Sequence, residues 1–264
     1  MCGIAGFYRQ GNKKLTPDDV RQLLVTLQQR GTDATGMAWK IGNEVKVIKA
    51  PLKAEEFVNL PQFSQSVNEV CDAQWALFHT RQATHGSPKE DNNNHPIVNS
   101  KGLIIHNGMV SIAEEFTDAQ GQTDTEQMLL CLQKYGFKGI ARVYGSLAIA
   151  YVDFSRPDRF YLYAHTSPIA YSRSDNLFLF ASTVNILKSV YQGVGFFVLP
   201  HNRVFRVNRP ILHHIKKVVA GTVFPPQKYT PDWTSYVTPY VKKLLYGNDG
   251  CYNYEEDFSQ YEGS

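Results

Sequence analysis

The sequence predicts a layered α+β fold, on three observations. Strand-like runs crowd together from Gly145 onward, well-capped helical stretches stand among the earlier strands, and the two kinds of element do not alternate as a parallel doubly wound sheet requires. In order, Cys2–Arg9 reads as a strand ending near Gly11. Thr16-Pro17-Asp18-Asp19 starts a helix, with Thr16 as cap, Pro17 in the first position and acids in the first turn. Leu23, Leu24 and Leu27 form its apolar face, and Arg30-Gly31 stops it. Ala34–Lys40 and Glu44–Lys49 form a hairpin around Gly42-Asn43. Residues 53–70 are weakly patterned but helical.

Trp75–Arg81 is a strand, 85–94 a polar Asn-rich loop, and Gly102–His106 a short buried strand ending at Asn107-Gly108, a common turn dipeptide. Thr123 caps a helix through Tyr135 with Met128, Leu129 and Leu132 on one face. Strands follow at Ser146–Asp153, Phe160–Ala164, Leu177–Ala181, Phe196–Leu199 and Val204–Val207. Beyond Val219 the composition shifts. One short helix is expected within Pro231–Tyr246, and Gly247–Ser264 reads as a flexible acidic tail.

At 264 residues the chain can hold one large domain or two small ones, and 43% apolar and 12% aromatic residues suffice for a real core. A net charge of +3 with no basic stripe does not indicate nucleic-acid binding. The four cysteines have no CxxC pair, which argues against a zinc knuckle and a dense disulfide framework and fits a reducing cytoplasm. His165, His201, His213 and His214 lack metal-ligand spacing, and Cys71 and Cys131 read as buried and inert. No apolar run reaches the ~18–20 residues of a membrane span, and no apolar stretch follows a basic start, so no secretory leader is expected.

Cys2 directly follows Met1. A small second residue favours removal of the initiator. Cysteine would then carry its thiol and a free α-amino group together, a nucleophile beside its own base. Taken alone, Cys2 fits a buried strand residue better, since free cysteines are among the most buried residue types. Four further polar strings alter that balance: Arg30-Gly31-Thr32-Asp33-Ala34-Thr35-Gly36, His79-Thr80-Arg81-Gln82-Ala83-Thr84-His85-Gly86, His106-Asn107-Gly108 and Thr123-Asp124-Thr125-Glu126. Singly, each is explained as a helix stop, a strand end, a turn or a residue at the positive end of a helix dipole.

With Cys2-Gly3-Ile4-Ala5-Gly6, these strings resemble, in order, the glutaminase domain of the class II, N-terminal-nucleophile glutamine amidotransferases, nearest to that of glucosamine-6-phosphate synthase. The resemblance spans about residues 2–215. It implies a four-layer αββα fold with two antiparallel sheets between helical layers. It also implies hydrolysis of L-glutamine through a Cys2 thioester, with the Cys2 α-amino group moving the proton. In the roles so implied, Asn107 and Gly108 form the oxyanion hole, Arg81 grips the α-carboxylate, and Asp124 meets the α-ammonium. Thr84 and His85 line the pocket, and Arg30 is a cation near the nucleophile. Gly31 and Gly36 serve tight backbone geometry. No cofactor or metal is expected.

Gln82 departs from the pattern, since the synthase relatives place a bulky apolar residue, often Trp, at this position. Residues 2–219 are expected to form the glutaminase domain and 220–264 an extension too short for an isomerase or ligase. Ammonia would then pass to a separate synthase protein. Two alternatives use the same fold: a stand-alone hydrolase of another γ-glutamyl amide, and an inactive binding module.

Overall fold

The computed structural model describes residues 1–193 and 195–223. The expected helix within 231–246 and the tail 247–264 lie outside the described residues. Two antiparallel sheets carry the fold. The first holds seven strands in the order β11-β9-β10-β1-β4-β2-β3. These are β1 (Gly3–Arg9), β2 (Ala34–Ile41), β3 (Glu44–Ala50), β4 (Trp75–Arg81), β9 (Ala170–Arg173), β10 (Leu177–Ala181) and β11 (Phe196–Val198). The second, in the order β13-β12-β8-β7-β6-β5, holds β5 (Ile97–Asn99), β6 (Gly102–Ile112), β7 (Val143–Asp153), β8 (Phe160–Ala164), β12 (Arg203–Val207) and β13 (Leu212–Lys217).

Three apolar interfaces stack the layers. Outside the first sheet, α1 (Pro17–Leu27) and α3 (Pro61–Asp72) pack Leu23, Leu24, Phe63 and Val67 against Phe7, Met37 and Phe78. Between the sheets lie Ile4, Tyr8, Ala38 and Leu77 from one and Leu103, Ile105, Ala150 and Leu162 from the other. Outside the second sheet, α4 (Asp124–Tyr135) sets Met128, Leu129 and Leu132 on Ile104, Ile149 and Tyr163. This is the αββα order. Strands buried on both faces are apolar throughout, which is why Leu177–Ala181 reads as an unbroken run.

Local chemistry accounts for the helix starts. The Thr16 hydroxyl accepts from the Asp19 N–H, and the Asp19 carboxylate accepts from the Thr16 N–H, a reciprocal capping box. Thr123 caps α4 through the Glu126 N–H. The stretch expected as one helix over 53–70 is two, α2 (Ala54–Phe57) and α3, because Pro61 opens a new helix at its first position. Four short elements carry no clear pattern in the sequence: β5, β9, β13 and α5 (Val184–Lys188).

The larger correction concerns Asn107-Gly108. It is not a turn but the middle of β6, which continues to Ile112 paired with β7, Asn107 facing Ala148 and Gly108 facing Leu147. Gly108 has φ 149°, and a Cβ there would lie 1.8 Å from the Ser146 carbonyl oxygen. Glycine keeps the strand running through a conformation that a side chain would break.

Period-two alternation then aims the polar residues. Ile4 and Leu77 face the other sheet, so Cys2, His79 and Arg81 do as well; Leu103 and Ile105 face back, and so does Asn107. His106 falls on the opposite face, toward α4. Gly36 of β2 also points inward, and a Cβ there would lie 2.1 Å from the His95 carbonyl oxygen. Gly36→Ala is expected to lower stability by about 1–3 kcal/mol through overpacking. A reduced urea midpoint at unchanged slope would report it, and an unchanged midpoint would refute the close approach.

Candidate active site

A narrow cleft opens at the end of the sandwich where β1 begins and β4 ends. Its lining includes Cys2, Arg81, Gln82, Thr84, His85, Gly108 and Asp124, backed by His95, His106, Thr123 and Thr125. Six of the eight residues singled out from the sequence thus share one lining, although they come from four separate stretches of chain. A larger cavity of about 930 Å³ lies elsewhere, between the edge strands β3 and β5, and none of those eight residues lines it.

Cys2 is buried, at 9% exposure, one residue before β1. Its Sγ lies 3.4 Å from the Gln82 N–H nitrogen, which donates to it, and 3.5 Å from the Gln82 carbonyl oxygen, to which the thiol donates. Burial pushes the thiol pKa up; the Gln82 N–H, the N-terminal ammonium and Arg81 pull it down, while Asp124 pushes it up. Met1 is 78% exposed and carries the terminal amine here, so the Cys2 nitrogen is a peptide amide.

Arg30 lies beside Cys2 but makes no hydrogen bond to its thiol. Its Nε donates to the Cys2 carbonyl at 2.8 Å and its Nη2 lies 3.7 Å from Met1 Sδ, so it holds the main chain of the first two residues. Arg81 is 3% exposed and already engaged: Nη1 donates to Asn94 Oδ1 at 3.0 Å, and Nη2 donates to the carbonyls of His85 and, at 2.9 Å, Gly86. One Nη1 hydrogen and the Nε hydrogen have no acceptor among the described residues. The guanidinium thus ties the 85–94 loop to the end of β4 and keeps donors in reserve.

Asp124 is the first residue of α4, where the helix dipole favours a carboxylate. Its Oδ2 accepts from the Val110 N–H at 2.8 Å and its Oδ1 from the Thr125 hydroxyl at 3.3 Å. Each oxygen keeps lone pairs for a cation. Asn107 is 1% exposed, and neither its amide nitrogen nor its amide oxygen has a hydrogen-bond partner. An unsatisfied buried amide costs about 1–3 kcal/mol. Such a group calls for an explanation in a native fold, and a catalytic role is one of those known.

Three residues that the sequence left without a role shape this site. Asp33 binds the segment after β4, accepting from Ala83 N–H at 2.7 Å. Asn94 accepts from Arg81, and its Nδ2 donates to the Pro88 carbonyl at 2.6 Å. His95 stacks on His79 with ring centroids 4.0 Å apart. Asp33 was visible only as a fixed letter in the Arg30–Gly36 string, and the other two were hidden in an Asn-rich loop.

No family model matches the chain. Its sequence is 34% identical over 188 residues to glutamine–fructose-6-phosphate aminotransferase (isomerizing) of Clostridium tetani, covering 64% of this chain and 29% of that protein. The enzyme of the same name from Sulfolobus acidocaldarius is 32% identical over 150 residues, covering 53% and 24%. The chain thus spans under a third of the length of these relatives. Among solved structures, an allosteric regulatory enzyme of purine biosynthesis superposes with a TM-score of 0.63 at 14% identity, covering 81% of this chain and 49% of that one. A glutamine aminotransferase class-II domain protein from Silicibacter pomeroyi gives 0.55 at 15%, covering 83% and 100%. These likenesses bear out the four-layer fold.

The buried histidines set a pH dependence. Burial pushes His79 down to about 3, and His95 well below its ordinary value, with neighbouring cationic groups adding to the effect. Both stay neutral in the fold but take up protons near pH 6.5 when unfolded. The unfolded state therefore binds more protons below that pH, and stability falls as pH drops from about 6.5 toward 3. Urea unfolding between pH 6.5 and 5, above the carboxylate range, should show this slope, at most about 1.4 kcal/mol per unit for each histidine. His95→Gln should remove that histidine's share of the slope and leave the share of His79, and a flat profile in the parent would contradict the assignment.

Proposed function

We propose that this chain, whose homologues are the glutaminase domains of class II glutamine amidotransferases, hydrolyses the side-chain amide of L-glutamine to glutamate and ammonia. One observation carries the proposal. The cleft joins a buried thiol with a cationic and an anionic group for the two ends of an amino acid, and the residue before its Gly108, Asn107, carries a buried amide without a partner among the described residues. The residues 2–219 are proposed to form the glutaminase domain.

In the proposed reaction, loss of Met1 frees the Cys2 α-amino group, which takes the thiol proton. The thiolate attacks the glutamine carboxamide carbon, and the carbonyl oxygen gains the negative charge. Asn107 Nδ2–H and the Gly108 N–H receive that oxyanion; losing one such donor typically costs about 10²–10³ in rate. The α-ammonium returns its proton to the leaving nitrogen, ammonia departs, and a γ-glutamyl thioester remains on Cys2. Water then hydrolyses it. Arg81 holds the substrate carboxylate with its spare N–H groups, Asp124 holds the ammonium, and Thr84 and His85 close the pocket. Arg30 keeps the Cys2 carbonyl in place.

Passage of the ammonia to a separate synthase protein completes the proposal. The relatives' name, glutamine–fructose-6-phosphate aminotransferase, supports transfer of the glutamine nitrogen to an acceptor, and a separate acceptor protein is part of the proposal. A different γ-glutamyl amide is the competing substrate, and direct comparison of release rates separates the two.

Intact mass of the purified protein should lack one Met; full retention would refute the proposed amine. Cys2→Ala should abolish glutamate release, and undiminished release would remove Cys2 from the chemistry. Arg81→Ala and Asp124→Ala should raise KM by about ten- to a hundredfold, each losing a charge-assisted contact. Asn107→Ala should instead lower kcat, since its donor meets charge that grows in the transition state. A rise in KM with kcat intact would defeat the oxyanion role.

A further inference from the structure

Asp33 makes three hydrogen bonds to three consecutive residues. Its N–H donates to the Arg81 carbonyl at 2.9 Å, and its Oδ2 accepts from Gln82 Nε2 at 3.0 Å and from the Ala83 N–H at 2.7 Å. The middle residue of the three is the one whose peptide groups flank the thiol, with its N–H donating to Cys2 Sγ. Gly31 permits the seat: a Cβ there would lie 2.4 Å from Arg81 C and 2.5 Å from Gln82 N. The turn before β2 and the segment leaving β4 are thus in backbone contact, and the Asp33 carboxylate fastens them.

We infer that Asp33 is a positioning residue for the Cys2 nucleophile, acting through the Gln82 peptide. The inference rests on Cys2 as nucleophile but adds a residue that touches neither the thiol nor the proposed substrate. An N–H aimed at sulfur favours the thiolate over the thiol, and it does so only while the peptide is held in orientation. Residues 82–84 follow the last residue of β4 and have no strand partners, so their geometry depends on such tethers. Gln82 takes part through its side chain as well.

The test compares Asp33→Ala, Asp33→Asn and Gln82→Ala with the parent. Alkylation of Cys2 by iodoacetamide is followed against pH by mass mapping of the N-terminal peptide, beside kcat and KM for glutamine. Asp33→Ala should raise the alkylation midpoint by about half to one pH unit and lower kcat about three- to tenfold, the scale of one lost hydrogen bond. KM should stay within about twofold. Asp33→Asn keeps an oxygen that accepts from Ala83 N–H and should recover most of the loss. Gln82→Ala, which removes one bond of the three, should fall between. Thermal unfolding of each variant checks that the fold persists. An Asp33→Ala protein with the parent's midpoint and kcat overturns the inference. So does an Asp33→Asn protein as impaired as the alanine variant, because carboxylate charge and not the tether would then be the cause. A parent that alkylates at Cys2 yet releases no glutamate rejects the proposed function, while the Asp33→Ala midpoint still decides the positioning role.

Discussion

Two sheets stacked face to face leave their inward side chains to fill the space between, and this constraint governs the site. Over most of the interface those side chains are Ile, Leu, Ala and Phe. At one end the same alternation delivers Cys2, His79, Arg81 and Asn107. Polar groups placed there must be paired, kept neutral or left waiting, because an unpaired buried charge is far costlier than a buried hydrocarbon. The structure uses all three solutions. Arg81 is paired with loop carbonyls, His79 and His95 are held neutral by burial, and Asn107 is left with both amide atoms free.

His79 shows how the neutral state also fixes a direction. Its Nε2 lies 3.0 Å from the His106 carbonyl oxygen, which can only accept, so the proton sits on Nε2 and the bond ties β4 to β6 across the sandwich. His106 reaches the other way, its Nδ1 3.0 Å from the Thr125 hydroxyl in the first turn of α4. Sheet, sheet and helix are joined by these two contacts within one turn of Asp124. Polar cross-links thus gather at this end of an otherwise apolar stack, and under the proposed function that rigidity would serve a nucleophile that must be held in line with its substrate.

The regular elements with strong local signals were legible in the sequence. Thr16-Pro17 with Asp19 marks the start of α1, and Trp75–Arg81 is β4 to the residue. Asn107-Gly108 was not legible, because the dipeptide is a turn signal and only pairing with β7 carries the strand through it. The β13 sequence Leu-His-His-Ile-Lys-Lys has no clean alternation, and a bulge falls where its register against β12 shifts. In the site, the residue types that do chemistry stood out together with the resemblance that ordered them. Asp33, Asn94 and His95 did not, because their site contacts, to the Ala83 N–H, the Arg81 guanidinium and the His79 ring, are made in the folded chain and no local pattern records them.

Mass analysis of the N-terminal peptide during turnover tests the central claim most directly. Protein mixed with glutamine and quenched in acid within the steady state should yield a peptide beginning at Cys2 that carries one γ-glutamyl group, released by hydroxylamine as a thioester is. A Cys2 thiol that stays unmodified while glutamate accumulates, or a γ-glutamyl group found on another residue, would contradict the account.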